Sequence, residues 1–540
     1  MMKWGNILAL LVIMGAAWDL RIRGVEWPLL HPDEYKISSW ASWIEEHSQT
    51  FNPAYPGGYF HLVKPVLQIK NALLEQGDDW QVRLGHGGRA VREEINQTFL
   101  LRKINVGFAL LTILLFYGLA YRVTGSRAGA LAAAAFLGLS RLHVEHSHYA
   151  ETDIAMLFTL TLALYGWTRA HAGGQISWFL ASAFLSGLAI GTKYTNLILL
   201  PSCVAGGVIC FRLKIEENKR RSLVILMLSG LALMLAGWVY TNRHVFEGAA
   251  FWGTLQRACH SAYAERSGIL GKSAGDPHAV VISNLNVLRE NLGDINSIWL
   301  GLSCIGIILS LLPRYRRFLI VTTLSGGLYV IYFLYFAPWV RDQEFLTFLP
   351  FMAVCIAIGV KACLEFADRM PFRAVAKAVL MIAVVVAALE SEVKSLRCSS
   401  LFMIPEARVE AMKWLYQHAP MQRMVGVEDY TTPACRLFDS ASSIGQIEWM
   451  SSTQRAQTKM EFVLRNVSAT GRGTVDPRTH ALYPDYAANL ASFTNQARRL
   501  CEWGPRESRF SFAGHQIEWW DVRPVLPEVT LESPLLASPD

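Results

Sequence analysis

The chain has 540 residues, 52% hydrophobic and 17% charged, with a formal net charge of +7. Soluble proteins carry about 25% charged residues, so the shortfall points to many buried spans. A modest positive balance spread over loops excludes a nucleic-acid-binding surface.

Up to about residue 390 the apolar residues come in blocks of about 17–20, the length that crosses a hydrocarbon core. Gly5 to Trp18, preceded by Lys3, has the look of a signal peptide, but no small-residue cleavage site precedes Arg21. It therefore reads as an uncleaved first span. In the loop 21–103, Ile37, Trp40, Ala41 and Ile44 recur at i, i+3, i+4, i+7 with Glu45 and Glu46 off the stripe. This predicts an amphipathic helix suited to the membrane interface. Pro53, Pro56, Gly57 and Gly58 mark a turn. A second amphipathic stretch follows, with Tyr59, Phe60, Val63, Val66 and Leu67 around Lys64.

Further spans are predicted over 104–121, 128–142, 153–170, 176–192, 194–211, 222–240, 295–312, 318–338, 345–362 and 374–390, giving about eleven in all. Arg212, Lys214, Lys219, Arg220 and Arg221 crowd one short loop, Arg314, Arg316 and Arg317 another, and 361–377 holds more. These loops share one face, which the positive-inside rule assigns to the cytoplasm. The cations Arg21, Arg23, Arg102 and Lys103 argue the other way, but long translocated loops obey the rule poorly. The reading is a multi-pass protein of the plasma (inner) membrane. The loops 21–103, 141–153, 241–294 and 339–344 then face outward, together with the C-terminal region.

After Ser391 the pattern becomes globular: a helix over Pro405–His418, a strand at Met424–Glu428 and an alternating strand near His515–Val522. The expected organisation is a transmembrane domain over 1–390, a small soluble α/β domain over 391–523 and a loose tail over 524–540. The nine cysteines show no C-x-x-C pair. Cys398, Cys435 and Cys501 lie toward the outer region, where two of them can pair, and spacing leaves open which.

Two acidic clusters sit at the mouths of apolar segments, His31-Pro32-Asp33-Glu34 and Glu151-Thr152-Asp153. The span count puts both on the outer side. Ionisable groups at such places are functional candidates by default. Alternatives stay open: Asp33 as a helix cap, Asp153 as a partner of its helix dipole, Lys193 snorkelling to the headgroups, and Arg341 in a local ion-pair group with Asp342 and Glu344. The run His143-Val144-Glu145-His146-Ser147-His148 has donors that suit zinc or manganese. Interfacial hydrogen bonding is the simpler use, so no residue is assigned as a metal ligand and a divalent cation stays an open cofactor.

His31-Pro32-Asp33-Glu34-Tyr35 after a first span, followed by Asn52-Pro53-Ala54-Tyr55-Pro56-Gly57-Gly58-Tyr59, resembles the first outer loop of the GT-C glycosyltransferases. Within these, the likeness is closer to the dolichyl-phosphate-mannose protein mannosyltransferase and lipid A aminoarabinose transferase group. His148-Tyr149-Ala150-Glu151-Thr152-Asp153 is similar to that group's second acidic motif, and Gly191-Thr192-Lys193-Tyr194-Thr195 to another recurrent segment. The likeness covers about residues 1–360. It implies a GT-C architecture and inverting transfer of a sugar from a polyprenyl-phosphate carrier to an acceptor hydroxyl of a protein, lipid or glycan.

On that reading Asp33 is the general base, because a hydroxyl is a weak nucleophile and a carboxylate within about 3 Å can take its proton. Glu34 and Asp153 are supporting acids. Lys193, Lys64, Arg243 and Arg341 are candidate phosphate contacts, and His148, Tyr149 and Tyr55 candidate substrate contacts. Loop 241–294 and the region of Arg341 complete the carrier site. One departure stands out: many members open a late span with Arg-Tyr, where this chain has Glu344-Phe345. The rival readings are a secondary transporter or flippase, whose internal repeats are missing here, and a non-catalytic scaffold with an outer binding domain.

Overall fold

The computed structural model describes residues 4–26, 34–46, 56–68, 89–173, 175–214, 220–257, 277–310, 325–337 and 342–403, with five strand segments beyond them. The chain forms two compact units, one of Met1–Trp80 with Arg92–Ile404, the other of Gln81–Val91 with Pro405–Asp540. The division falls later than residue 390 because the last helix of the first unit, Arg373–Leu401, runs unbroken through that position.

The first unit is helical: α1 (Trp4–Ile22), α2 (Glu34–Glu46), α3 (Gly58–Gln68), α4 (Arg89–Thr124), α5 (Arg127–Gly138), α6 (Arg141–Ser147), α7 (Thr152–Gly173) and α8 (Ile176–Ile190). A 3-10 turn (Tyr194–Ile198) leads into α9 (Leu199–Lys214), followed by α10 (Arg220–Thr241), α11 (Pro277–Asp294) and α12 (Ser297–Ser310). Next come α13 (Ser325–Ile331) with a π-helical turn (Tyr332–Phe336), α14 (Asp342–Phe345), α15 (Leu349–Ala367) and α16 (Arg373–Leu401). Five helical segments among the described residues are long and apolar enough to cross a bilayer; α11 and α12, bent by 115°, make a sixth if read as one broken span. The protein is therefore an integral, multi-pass membrane protein. The predicted span 128–142 does not run through. Helix α5 stops at Gly138, and Ser140 starts the separate short helix α6. Twelve residues are too few to cross the hydrocarbon.

Helix contacts in lipid depend on close backbone approach, which small residues permit. A Cβ on Gly306 of α12 would run into the Cys355 carbonyl of α15, and one on Gly359 into the Leu302 carbonyl. The two amphipathic stretches of the first loop are helices, as their periodicity predicts. Their stripes do not simply face the membrane surface: Ile37, Ala41 and Ile44 of α2 and Tyr59, Phe60, Val63 and Leu67 of α3 are buried together with Leu100, Leu101, Ala150 and Ala155. That cluster fastens the loop to α4 and to the start of α7. Cys398 is a free, buried thiol in α16.

The second unit holds a five-stranded sheet in the order β2-β1-β3-β5-β4, from β1 (Val425–Val427), β2 (Gly445–Gln446), β3 (Phe462–Asn466), β4 (Arg498–Trp503) and β5 (Ile517–Asp521). β1 runs parallel to β2 and β3, whereas β5 is antiparallel to β3 and β4. The helix expected over Pro405–His418, the tail 524–540 and Cys435 lie outside the described residues.

The turn before α3 docks on the end of α8. Gly58 N donates to Gly191 O at 2.7 Å, Gly57 N donates to Asn242 Oδ1 at 3.3 Å, and a Cβ on Gly58 would lie 2.5 Å from Gly191 O. Gly58→Ala should therefore cost about 1–3 kcal/mol through overpacking. Gly107→Ala, where a Cβ meets nothing within 4 Å, should be neutral or stabilising by up to about 1 kcal/mol. Thermal unfolding of both variants in detergent checks the contrast.

Candidate active site

Glu34 opens α2 and is fully buried. Its Oε1 accepts from Arg102 Nε at 2.8 Å and from the backbone N of Ala150 at 2.5 Å, while Oε2 accepts from Arg102 Nη2 at 2.5 Å. Arg102 also donates to Val25 O at 3.3 Å. A planar guanidinium fork meets both carboxylate oxygens at once, which a lysine cannot do. Three residues further along α4, Asn105 Nδ2 donates to Tyr149 O at 2.7 Å and to Glu151 O at 2.8 Å. The first acidic motif is thus bonded to the backbone of the second, 116 residues later in sequence. Arg102, a cation that argues against the charge rule, holds the Glu34 carboxylate that makes this join.

Asp153 lies in the first turn of α7, where the helix dipole favours an anion. Lys193 sits in the turn that ends α8, its N bonded to Ala189 O at 3.3 Å. Lys193 Nζ donates to Asp153 Oδ1 at 2.5 Å, and Glu344 Oε1 lies 3.9 Å away. Burial works against the ammonium, but Asp153 and Glu344 outweigh it and hold Lys193 charged, above the usual lysine range. Tyr329 donates to Glu344 O at 2.8 Å and fixes α14 beside the pair.

The ion pair lines a cavity of about 710 Å³. Its polar end is Glu151, Thr152, Asp153, Thr192, Lys193, Thr195 and Gln343; its other walls are Pro56, Tyr194, Leu197, Leu200, Pro201, Leu328 and Tyr332. The polar end carries the carboxylates of Glu151 and Asp153 beside the Lys193 ammonium, and Glu344 adds a third carboxylate 3.9 Å from that ammonium. His146, Glu151 and Asp153 each have a ligand atom within 4.8 Å of the others, and all three residues are buried. The Nδ1 of His146 has no hydrogen-bond partner among the described residues. One imidazole and two carboxylates, with an excess of negative charge, form a donor set that fits a divalent cation.

Of the residues singled out from sequence, Asp153 and Lys193 meet at the cavity. Glu34 stands behind it as the brace on Arg102 and Ala150, so its buried carboxylate is a structural anchor rather than an acid in the cavity. His148 is a correction. Its ring contacts Val144 O and Arg23 O, both at 2.9 Å, and stacks on Phe402 at 4.2 Å. Burial pushes it down to about 4 against those two hydrogen bonds, so it is neutral at neutral pH and does not line the cavity. Tyr149 is likewise buried, edge-on to Phe402 and His146. Arg243 is exposed over the Tyr240 ring, 5.8 Å from its centroid, and Lys64 lies on α3; neither lines the cavity. Asp33, Tyr55 and Arg341 lie outside the described residues. Tyr332 and Gln343 were missed because neither is charged nor part of a motif.

Removing one partner of a buried ion pair strands the other. Arg102→Met or Glu34→Gln should each destabilise by about 3–5 kcal/mol, and the double variant by clearly less than the sum. A double-mutant cycle by thermal unfolding checks it.

The pattern of the dolichyl-phosphate-mannose-protein mannosyltransferase family matches residues 77–243, which include Arg102, Asp153 and Lys193. An uncharacterized protein of Aquifex aeolicus is 29% identical over 222 residues, 41% of this chain, and the match spans only 40% of that relative's length. The apo oligosaccharyltransferase of Archaeoglobus fulgidus superposes with a TM-score of 0.56 at 11% identity, covering 93% of this chain and 80% of that one. Its complex with Zn and sulfate gives 0.51 at 12% identity, covering 92% and 79%. Together with the motifs, these similarities identify the chain as having the fold of the GT-C glycosyltransferases.

Proposed function

We propose that this protein transfers a sugar from a polyprenyl-phosphate carrier to an acceptor hydroxyl at the extracytoplasmic face of the plasma membrane, with inversion. The observation that carries the reading is the cavity itself, which has a charged end built on Asp153 and Lys193 and walls of leucine, proline and tyrosine. A lipid-linked sugar has the same division, with a polar head and phosphate on an apolar chain.

In this mechanism Asp33 takes the acceptor's proton as the sugar's C1 bond to phosphate breaks. Its chain neighbour Glu34 is bonded to Ala150 N, one residue from Glu151, which supports a shared location for the two motifs. An ammonium has three donor hydrogens. Asp153 takes one of those on Lys193, and the remainder can meet the departing phosphate. Asp153 thereby orients the lysine. The phosphate is a good leaving group, so it requires charge neutralisation more than a general acid. His146, Glu151 and Asp153 would hold a divalent cation, which when bound would add positive charge at that end of the cavity. That the oligosaccharyltransferase is known in a complex with Zn and sulfate agrees with such a site. The acceptor class, protein, lipid or glycan, is left to the second unit and the outer loops.

Purified protein incubated with polyprenyl-phosphate sugars should release lipid phosphate. Asp33→Asn, expressed normally, should abolish the release, and Asp153→Asn, which also strands Lys193, should lower it by about 10²–10³-fold. Wild-type turnover by Asp33→Asn removes the base assignment. For the cation, calorimetry with Mn²⁺ or Zn²⁺ should detect binding. His146→Ala should weaken it by more than the roughly tenfold cost of losing an outer-shell partner.

A further inference from the structure

The apolar walls of the cavity come from two elements. One is the 3-10 turn and start of α9, with Leu197, Leu200 and Pro201; the other is α13 and its π-helical turn, with Leu328 and Tyr332. The two walls are joined by a hydroxyl contact between Ser202 and Ser325, both fully buried. Beyond Ile331 the second wall stops being α-helical. Ala337 N bonds Tyr332 O at 2.8 Å, five residues back, so the turn is widened and its following carbonyls are displaced from the ordinary ladder. Such turns are uncommon and cluster at functional sites. In a membrane, carbonyls displaced in this way must be bonded by neighbouring protein groups.

Asn284 meets that need. It lies on α11, is 4% exposed, and donates from Nδ2 to Phe333 O at 2.9 Å and to Leu334 O at 3.3 Å. These carbonyls belong to the two residues that follow Tyr332. A buried carboxamide on a helix rich in apolar residues is costly unless bonded, and here both contacts go to one feature. Asn284 therefore braces, from outside, the turn that presents Tyr332 to the cavity.

We propose that Asn284 is a positioning residue for the isoprenoid portion of the lipid carrier, acting through the π-helical turn and Tyr332. The inference rests on the carrier reading given above. Ser202 and Ser325 tie the two walls at one end. Asn284 holds the turn at the other and so sets where the wall meets a long apolar chain. The phosphate end, built on Asp153 and Lys193, is not touched by Asn284, so its loss should be felt by the tail and not by the head.

The test measures binding of undecaprenyl phosphate and of geranyl phosphate, which lacks most of the isoprene units, to the full chain in nanodiscs. Asn284→Ala should weaken undecaprenyl phosphate by about tenfold, roughly one lost buried contact, and leave geranyl phosphate within about twofold. Asn284→Asp, the same size but without the donor, should behave like alanine, and Asn284→Gln should recover part of the loss. Equal loss for both lipids, or loss for neither, overturns the inference. A wild-type protein that binds neither lipid removes the carrier reading and this inference with it. If Asn284→Ala does not fold, Tyr332→Ala takes its place, and an unselective effect there overturns the inference in the same way.

Discussion

The buried junction of Glu34 with Arg102 and the Ala150 amide is what the rest of the site is built upon. Two charges out of water are stable only if each is paired and its remaining hydrogen-bonding capacity is used. Here the carboxylate accepts three donors from two distant parts of the chain. The requirement runs both ways: α2 cannot keep its first turn buried without Arg102 on α4, and Arg102 cannot stay buried without Glu34. Because Ala150 N is the third donor, the start of α7 is fixed to the same point, and the acids Glu151 and Asp153 inherit that position.

A second constraint comes from backbone approach. The turn at Gly57 and Gly58 lies against Gly191 and Asn242, so the motif of the first outer loop rests directly on the segment carrying Lys193. Three segments distant in sequence are thus brought together by one ion pair and one glycine contact. Among the described residues the cavity is lined by the carboxylates of Glu151 and Asp153 and the ammonium of Lys193, with the Glu344 carboxylate 3.9 Å from that ammonium. That surplus of carboxylates explains why Lys193 stays charged in spite of burial, and why a cation would be held at the acids rather than repelled. Glu344, 3.9 Å from the Lys193 ammonium, deepens the negative character of this end.

Much of this was legible from residue order. The apolar blocks predicted helices that the structure has, since a helix of about 20 apolar residues is what a bilayer selects. The periodicity of Ile37, Trp40, Ala41 and Ile44 predicted α2, because side chains three and four apart share a face. Asp153 and Lys193 were found because ionisable residues at span ends are few and therefore conspicuous. Arg102 was misread, since a charge rule treats each cation as facing water, whereas this one is spent on a carboxylate inside the protein. His148 and Tyr149 were placed at the substrate because they adjoin the acids in sequence. Along a connector, however, neighbouring side chains point in different directions, and theirs point to Phe402.

Sequence by itself determined that the chain crosses a membrane repeatedly, where its acids lie relative to the spans, and which motif residues carry charge; these follow from local composition and period. Tertiary structure alone decided which acid became a brace and which stayed at the cavity, that Asn284 bonds the π-helical turn, and that Cys398 is shut inside a helix contact. The physical reason is that pairing of buried polar groups is a long-range choice. A carboxylate's partner can come from any segment that the packing brings within about 3 Å, and nothing in the neighbouring residues names it.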